Sequence, residues 1–580
     1  MRAAPLFLIG SLSLAWMSPG PASAAWPPYG RPVCTASSSQ THSAIATDGA
    51  DGAIIAWQDA RFPRVNMFAQ HVLASGEVDG AWPHDGRALL NDPFAMQNAD
   101  AGQFNPEIAP DGAGGAIVTW QDLRSPVTET DIFAQHILAT GVVDPAWPDN
   151  GTALCTATGV QNTHVMIPDG AGGAIVTWVD SRVGATEFDI FAEHVLASGL
   201  VDPLWPVNGV AVCNLAGAQG FPAIVADGAG GAIVTWHDAR VAASIGFDIY
   251  AQHVLNSGIV DPAWPVNGRA ICVFHGDQGR PTIASDGAHG AIIAWSDSRI
   301  DATSHIFAQH VFASGAIDPV WPLNGRAISG AAFLETRARA VPDGAGGAIV
   351  TWQGFETQLN IFAQHVKADG VVDPIWPAAG KALSNAGRQQ SIQEVAPDGA
   401  GGAIVAWVDS VDVVAQHVLA TGAFDALYPA TGRSIVNLPN KQGDIAIVAT
   451  SGAGAIVSWT DGRNGLSPDI YALQVKEAGT GPTGVNTPAA AGVVVNVLPN
   501  PFSGSTRISF NSSGDGPVEV RIFDVLGRPV RSFAAPRGGT SQDVQWDGRT
   551  GGGEAVPSGV YFCRVSTPVG QGVRRIVLVR

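Results

Sequence analysis

Two short markers, each present eight times, constrain what this 580-residue chain can fold into more than any other feature. The first is an apolar run ending in tryptophan, as in Gly115-Ala116-Ile117-Val118-Thr119-Trp120. It returns at Trp57, Trp120, Trp178, Trp236, Trp295, Trp352, Trp407 and Trp459, at spacings of 63, 58, 58, 59, 57, 55 and 52 residues. The second is an aromatic–proline pair beginning at Trp26, Trp82, Trp147, Trp205, Trp264, Trp321, Trp376 and Tyr428. Self-similarity at such a period means that each unit buries its apolar face against a neighbour.

One unit reads as four strands. The first precedes an Asp-Gly turn, as in Pro281 to Ala284 before Asp286-Gly287, and Asp-Gly is suited to a tight hairpin. The second ends in the marker tryptophan. The third resembles Asp248-Ile249-Tyr250-Ala251-Gln252-His253-Val254. The fourth follows Trp-Pro-x-Asn-Gly, as in Arg269 to Cys272. Helical periodicity is absent. Four strands in roughly 57 residues match one blade of a β-propeller.

The chain starts its array with the second half of a unit, at Trp26 and Gly30 to Cys34. It ends the array with the first half, at Trp459 and Asp469 to Val475. Left open, the halves would each expose an unpaired strand edge. Joined, they make an eighth blade, so the expectation is an eight-bladed propeller over 25–477, closed by its N-terminal strand.

Composition fits short strands and tight turns: 70 Gly, 14% charged residues and a slightly positive mean hydropathy. The net charge of −19 argues against nucleic acid as a partner. From Ala491 onward there are ten Arg, no Lys and six acids, about +4, which leaves about −23 for the rest. At the start, Arg2, the apolar stretch Leu6 to Met17 and Ala22-Ser23-Ala24 read as a signal peptide over 1–24, cleaved between Ala24 and Ala25. No segment is long and apolar enough for a transmembrane helix. Cys34, Cys155, Cys213 and Cys272 share a repeat slot with Leu90, Ser329, Ser384 and Val436, which marks a packing position rather than a disulfide framework.

Residues 478–492 have linker composition. Residues 493–580 read as a second β-domain. It carries Leu498-Pro499-Asn500-Pro501-Phe502, Asp524-Val525-Leu526-Gly527-Arg528, Trp546-Asp547-Gly548, Pro557-Ser558-Gly559-Val560-Tyr561-Phe562 and a final strand ending Val579-Arg580. These motifs resemble the C-terminal sorting domain of type IX secretion substrates and the related domain of flagellar hook-capping proteins. The resemblance implies an Ig-like β-sandwich, a secretion machinery as partner and delivery to the outer cell surface. In that family the last strand is usually Lys-rich; here it is Arg-rich. The repeats, through Asp-Gly-x-Gly-Gly, Trp-x-Asp-x-Arg and Asp-Ile-Tyr-Ala-Gln, resemble secreted bacterial propellers, which implies the fold and no activity.

Most chemically tempting residues are repeated ones. His71, His136, His194, His253, His310, His365 and His417 occupy one slot, with Gln474 in the eighth copy, which reads as a structural histidine rather than a metal site. Asp122 and Arg124 have counterparts in most copies and read as a repeated ion pair, the arginine being lost at Glu356 and Val411. No catalytic constellation, cofactor motif or metal cluster emerges, and none is expected. The first strands are expected to line the channel, and there one register breaks the repeat: Ala44, Glu107, Val165, Ala223, Thr282, Arg339 and Glu394. Glu107, Arg337, Arg339 and Glu394, with Gln393 nearby, are the candidate ligand pocket. The chain therefore reads as a secreted or surface binding protein for a glycan, peptide or protein. A secreted polysaccharide hydrolase or lyase and a purely structural surface protein are the alternatives.

Overall fold

In a computed structural model the chain forms two compact units, one up to Pro482 and one from Thr483. The structure describes residues 26–90, 102–125, 129–184, 187–241, 246–300, 303–330, 333–384, 386–438, 440–465, 467–475, 495–498, 502–510, 518–524, 528–534, 542–567 and 570–579. The expected signal peptide, its cleavage site at Ala24 and Ala25, and the linker over 478–492 lie outside the described residues.

Every described element is a strand. The first unit holds eight four-stranded antiparallel sheets, one per repeat. In the fourth the order is Gln219–Ala226, Ala232–Asp238, Asp248–Val254 and Arg269–Cys272. The first strand of each sheet lies beside the first strand of the next, and Gln442–Thr450 of the eighth lies beside Gln40–Thr47 of the first, so the series is cyclic. Arg31–Cys34 supplies the outer strand of the eighth sheet by pairing with Asp469–Val475, with Arg31 opposite Ala472 and Pro32 opposite Tyr471. This pairing satisfies both free edges at once. The architecture is all-β and propeller-like.

The second strands explain the marker. In Ala116–Asp122 nearly every residue is buried, because both sheet faces pack on neighbouring sheets, so the run is continuously apolar rather than alternating. Strands extend beyond the sequence-based bounds. The second runs two residues past its tryptophan to an aspartate, and the fifth first strand spans Gln278–Ser285 rather than Pro281 to Ala284. The extra residues make side-chain bonds: Asp297 accepts from Trp295 Nε1 at 2.7 Å and Arg299 Nε at 2.8 Å, and Gln278 Nε2 donates to the Gly276 carbonyl at 2.8 Å.

The second unit has a three-stranded sheet (Val495–Leu498, Thr506–Phe510, Gln542–Trp546) and a four-stranded one (Pro529–Ala534, Glu519–Asp524, Gly559–Thr567, Gly570–Leu578). They share a core that includes Phe502, Ile508, Val520, Ile522, Trp546 and Cys563.

Candidate functional site

Two repeated clamps make up the belt around the site. In the first, the Asp122 carboxylate, fully buried, accepts from Trp120 Nε1 at 2.7 Å and from both Arg124 Nε (2.8 Å) and Nη2 (2.5 Å). The Arg124 guanidinium lies 3.9 Å over the Phe133 ring and donates to the Asn150 carbonyl at 2.8 Å, which ties the strand end to the Trp-Pro-x-Asn-Gly loop. The repeat needs Asp two residues after Trp for this bond, hence the longer strand. Glycine follows the loop because a Cβ at Gly86, at φ +92°, would stand 2.5 Å from the Trp57 ring.

The second clamp is the histidine. His253 Nε2 lies 2.9 Å from Asp227 Oδ2 in the Asp-Gly turn, and Nδ1 lies 2.8 Å from Asp261 Oδ2 beside the aromatic–proline pair. The same geometry holds for the other six histidines of the slot, for example His417 with Asp398 and Asp425, both at 3.0 Å. A ring facing a carboxylate on each side can donate from both nitrogens only when it is protonated. Burial opposes the charge at His194, His365 and His417, but the paired aspartates outweigh it and hold their pKa above the ordinary value. The eighth repeat has Ser451 and Gln474 instead. Its fourth strand comes from the N-terminus, so the connection that carries the second carboxylate elsewhere does not exist there. Among the described residues, no group of three or more His, Cys, Asp or Glu is placed to hold a metal ion. Five free, buried cysteines fit packing slots, and burial pushes the Cys34, Cys155 and Cys213 thiols up to about 12.

Repeats six and seven break the first clamp differently. In six, Gly354 replaces the aspartate, and Glu335 stands opposite it in place of a buried glutamine. The Glu335 carboxylate accepts from Trp352 Nε1 at 2.8 Å and from the Ser329 hydroxyl, so the carboxylate has moved across the strand pair. In seven, Val411 supplies no guanidinium. Trp407 Nε1 and Asp409 Oδ1 are buried without partners, and burial raises the Asp409 pKa.

Inside the belt, the first strands of all eight sheets enclose a cavity of about 660 Å³. Each first strand carries a β-bulge, and Ala44, Glu107, Val165, Ala223, Thr282, Arg339, Glu394 and Ala446 pair at the same register just after it. Glu107, Arg337, Arg339 and Glu394 all line the cavity. Arg339 Nε and Nη2 donate to the two Glu394 oxygens, each at 3.3 Å, and the pair remains partly solvated. Enclosure, followed by the field of Glu394 and against that of Arg339, lifts Glu107 to about 7. Gln393 is not a channel residue; it is buried, accepts from Gln353 Nε2 at 2.9 Å and donates to the Arg337 carbonyl at 2.5 Å.

Sequence reasoning missed the bulge itself. Its leading residue is left-handed in every repeat, with φ between 45° and 56°, although none of the eight is glycine. Arg337 is one of them, which separates it from Arg339. Phe221 and Arg280 precede it in repeats four and five; His42, Asn105, Thr163, Ile392 and Asp444 complete the set. Non-glycine residues adopt this conformation at a cost and hold it only where the surroundings impose it. The available signal was variation: two residues before the channel register, no two neighbouring repeats agree except Arg280 and Arg337.

Residues 496–579 match the Secretion system C-terminal sorting domain family. No curated protein matches the chain. Among solved structures, PorZ of Porphyromonas gingivalis, described as an essential bacterial surface component of the type-IX secretion system, is 12% identical. That match covers 94% of this chain and 82% of PorZ at TM-score 0.21. The Hadza microbial sialidase Hz136 is 12% identical over 62% of this chain and 76% of its own, at TM-score 0.32. A Penicillium chrysogenum α-L-arabinanase is 8% identical over 78% and 98%, at TM-score 0.33. Likenesses this distant say nothing about activity. The sorting domain marks the chain as a protein secreted and carried to the cell surface through a type IX machinery. No helix among the described residues is long and apolar enough to cross a membrane.

Proposed function

We propose that the chain is a surface-displayed binding protein: an eight-bladed β-propeller over 25–477 whose channel holds the ligand, followed by an Ig-like sandwich over 493–580 that interacts with the secretion machinery. The cyclic order of the eight sheets supports the propeller. Two facing sheets, with Tyr561 Oη donating to the Pro557 carbonyl at 2.7 Å, support the Ig-like domain.

One observation carries the binding role. The belt repeats almost without change, yet one channel register gathers Glu107, Arg339 and Glu394 around a single cavity. Packing does not require charge there, since five of the eight equivalents are Ala, Val or Thr. A glycan and peptide array probed with the full secreted chain should give hits that Arg339→Ala and Glu394→Gln abolish without changing the melting temperature. Hits that survive both substitutions would remove the channel from consideration.

A hydrolase or lyase reading has one specific support: Glu107 sits near neutrality beside the carboxylate of Glu394, and a carboxyl pair in unlike environments is the usual acid–base arrangement for glycosidic cleavage. Any array hit should therefore be assayed for turnover. Turnover lost in Glu107→Gln would establish an enzyme.

A further inference from the structure

The bulge residues of three consecutive repeats, Phe221, Arg280 and Arg337, line the same cavity as Glu107, Arg339 and Glu394. All three side chains are exposed. Arg280 lies 4.5 Å over the Phe221 ring. Among the described residues, neither Arg280 nor Arg337 has a carboxylate within ion-pair distance, in contrast to Arg339 with Glu394. Two guanidinium groups and a partly exposed aromatic ring thus share one arc of the cavity, and neither guanidinium is taken up by a carboxylate.

The arc is supported from below. His237 meets the Phe221 ring edge-on with centroids 4.9 Å apart and stacks on Phe247 at 4.6 Å. Burial pushes His237 down to about 4, so it packs as a neutral ring. A Cβ at Gly220 would stand 2.7 Å from His237 Nε2, so glycine there makes room for the stack. On the other side, the Gln353–Gln393 relay fixes the Arg337 backbone. Groups held in place before a ligand arrives lose less entropy when it binds.

We propose that the Phe221–Arg280–Arg337 arc recognises a single carboxylate-bearing sugar residue, such as the uronic acid at the end of a glycan. This rests on the channel being the ligand site. A flat apolar ring suits the C–H face of a sugar, and guanidinium groups suit a carboxylate. In the same cavity, the Arg339–Glu394 pair and Glu107 offer donors and acceptors for hydroxyl groups, which an apolar ligand would leave unmet. A chain carrying −19 repels long polyanions, which selects one acidic unit on an otherwise neutral glycan.

The test is calorimetric titration of the full chain with a neutral trisaccharide, the same trisaccharide capped by one glucuronic acid, and triglutamate. The capped sugar should bind about tenfold tighter than the neutral one or more. Arg280→Ala and Arg337→Ala should each reduce that preference, and the double variant should erase it. Phe221→Ala should weaken both sugars, and Phe221→Tyr should restore them. Melting curves should be unchanged throughout. Equal affinity for the two sugars, a preference that survives in the double variant, or triglutamate binding as well as the capped sugar would each overturn the arc as an acidic-sugar site. If those variants are silent while Arg339→Ala abolishes binding, the channel stands and the arc falls. If none of the three probes binds, the arc falls as an acidic-sugar site, and the array decides whether the channel falls with it.

Discussion

The belt and the channel are built from the same eight repeats, yet they obey opposite rules. In the belt, six of the eight repeats place a buried carboxylate at one slot, bound to a tryptophan N–H and to a guanidinium. In the channel, one register alternates between Ala44 and Glu107, between Thr282 and Arg339. A buried charge without its partner is costly wherever it sits, so the belt allows little change. A residue facing a water-accessible channel is free of that constraint, and its variation is open to a ligand's demands. Repeats six and seven show the belt's limits: the first moves the carboxylate to Glu335, and the second leaves Trp407 Nε1 without a partner.

The contrast can be broken most severely at the seam. Removing residues 26–36 takes away the outer strand of the eighth sheet, and the cooperative thermal melt of the first unit should collapse. An unchanged melting curve would rule out closure as a requirement for folding. Asp122→Ala should come next, losing about 3–5 kcal/mol in denaturant unfolding, because Arg124 and Trp120 both lose their partner inside the protein.

A milder loss should follow at the histidine clamp, and it depends on pH. The raised His194, His365 and His417 contribute stability in full below about pH 6.5 and lose it as pH rises through their elevated folded values. Asp169, Asp343 and Asp398 are held low: burial opposes this, but the histidine bonds win. Their contribution is complete above about pH 4 and lost as pH falls through the depressed folded values. The melting temperature should peak between those limits. His365→Gln should cost about 1–3 kcal/mol at pH 5.5 and flatten the decline at higher pH. A decline with unaltered slope would mean that this clamp is not its source.

Val411→Arg tests the belt in the opposite direction. A guanidinium beside Asp409 should recover about 1 kcal/mol and lower the Asp409 pKa, as measured by unfolding and by NMR titration. The smallest effect on stability belongs to the channel. Arg339→Ala should shift the unfolding free energy by about 0.5 kcal/mol or less, since its pair with Glu394 is partly solvated, while removing ligand binding. A large loss of stability there would place the trio with the belt.

The repeat count, the four strands of each unit and the pairing of Arg31–Cys34 with the last repeat were legible because each follows from a local pattern or from the order of markers. The channel trio was legible for a different reason: Glu107, Arg339 and Glu394 interrupt an otherwise uncharged register, and the eightfold repeat supplies the alignment needed to see it. Gln393 misled, because one residue's shift along a strand turns a side chain from the channel into the sheet packing. Phe221 and Arg280 went unseen because a bulge offsets the strand by one residue, and nothing in the letters marks a left-handed backbone where no glycine stands.

The sequence by itself determined the all-β class, the eight units and the sorting domain at the end, since hydrophobic period, turn chemistry and motif order are properties of neighbouring residues. Only the tertiary structure decided that His253 lies between Asp227 and Asp261, that Glu335 replaces a carboxylate lost at position 354, and that Phe221, Arg280 and Arg337 face one cavity. Those relations join residues on different strands and different sheets, and they exist only once the ring of sheets brings separate repeats to a common centre.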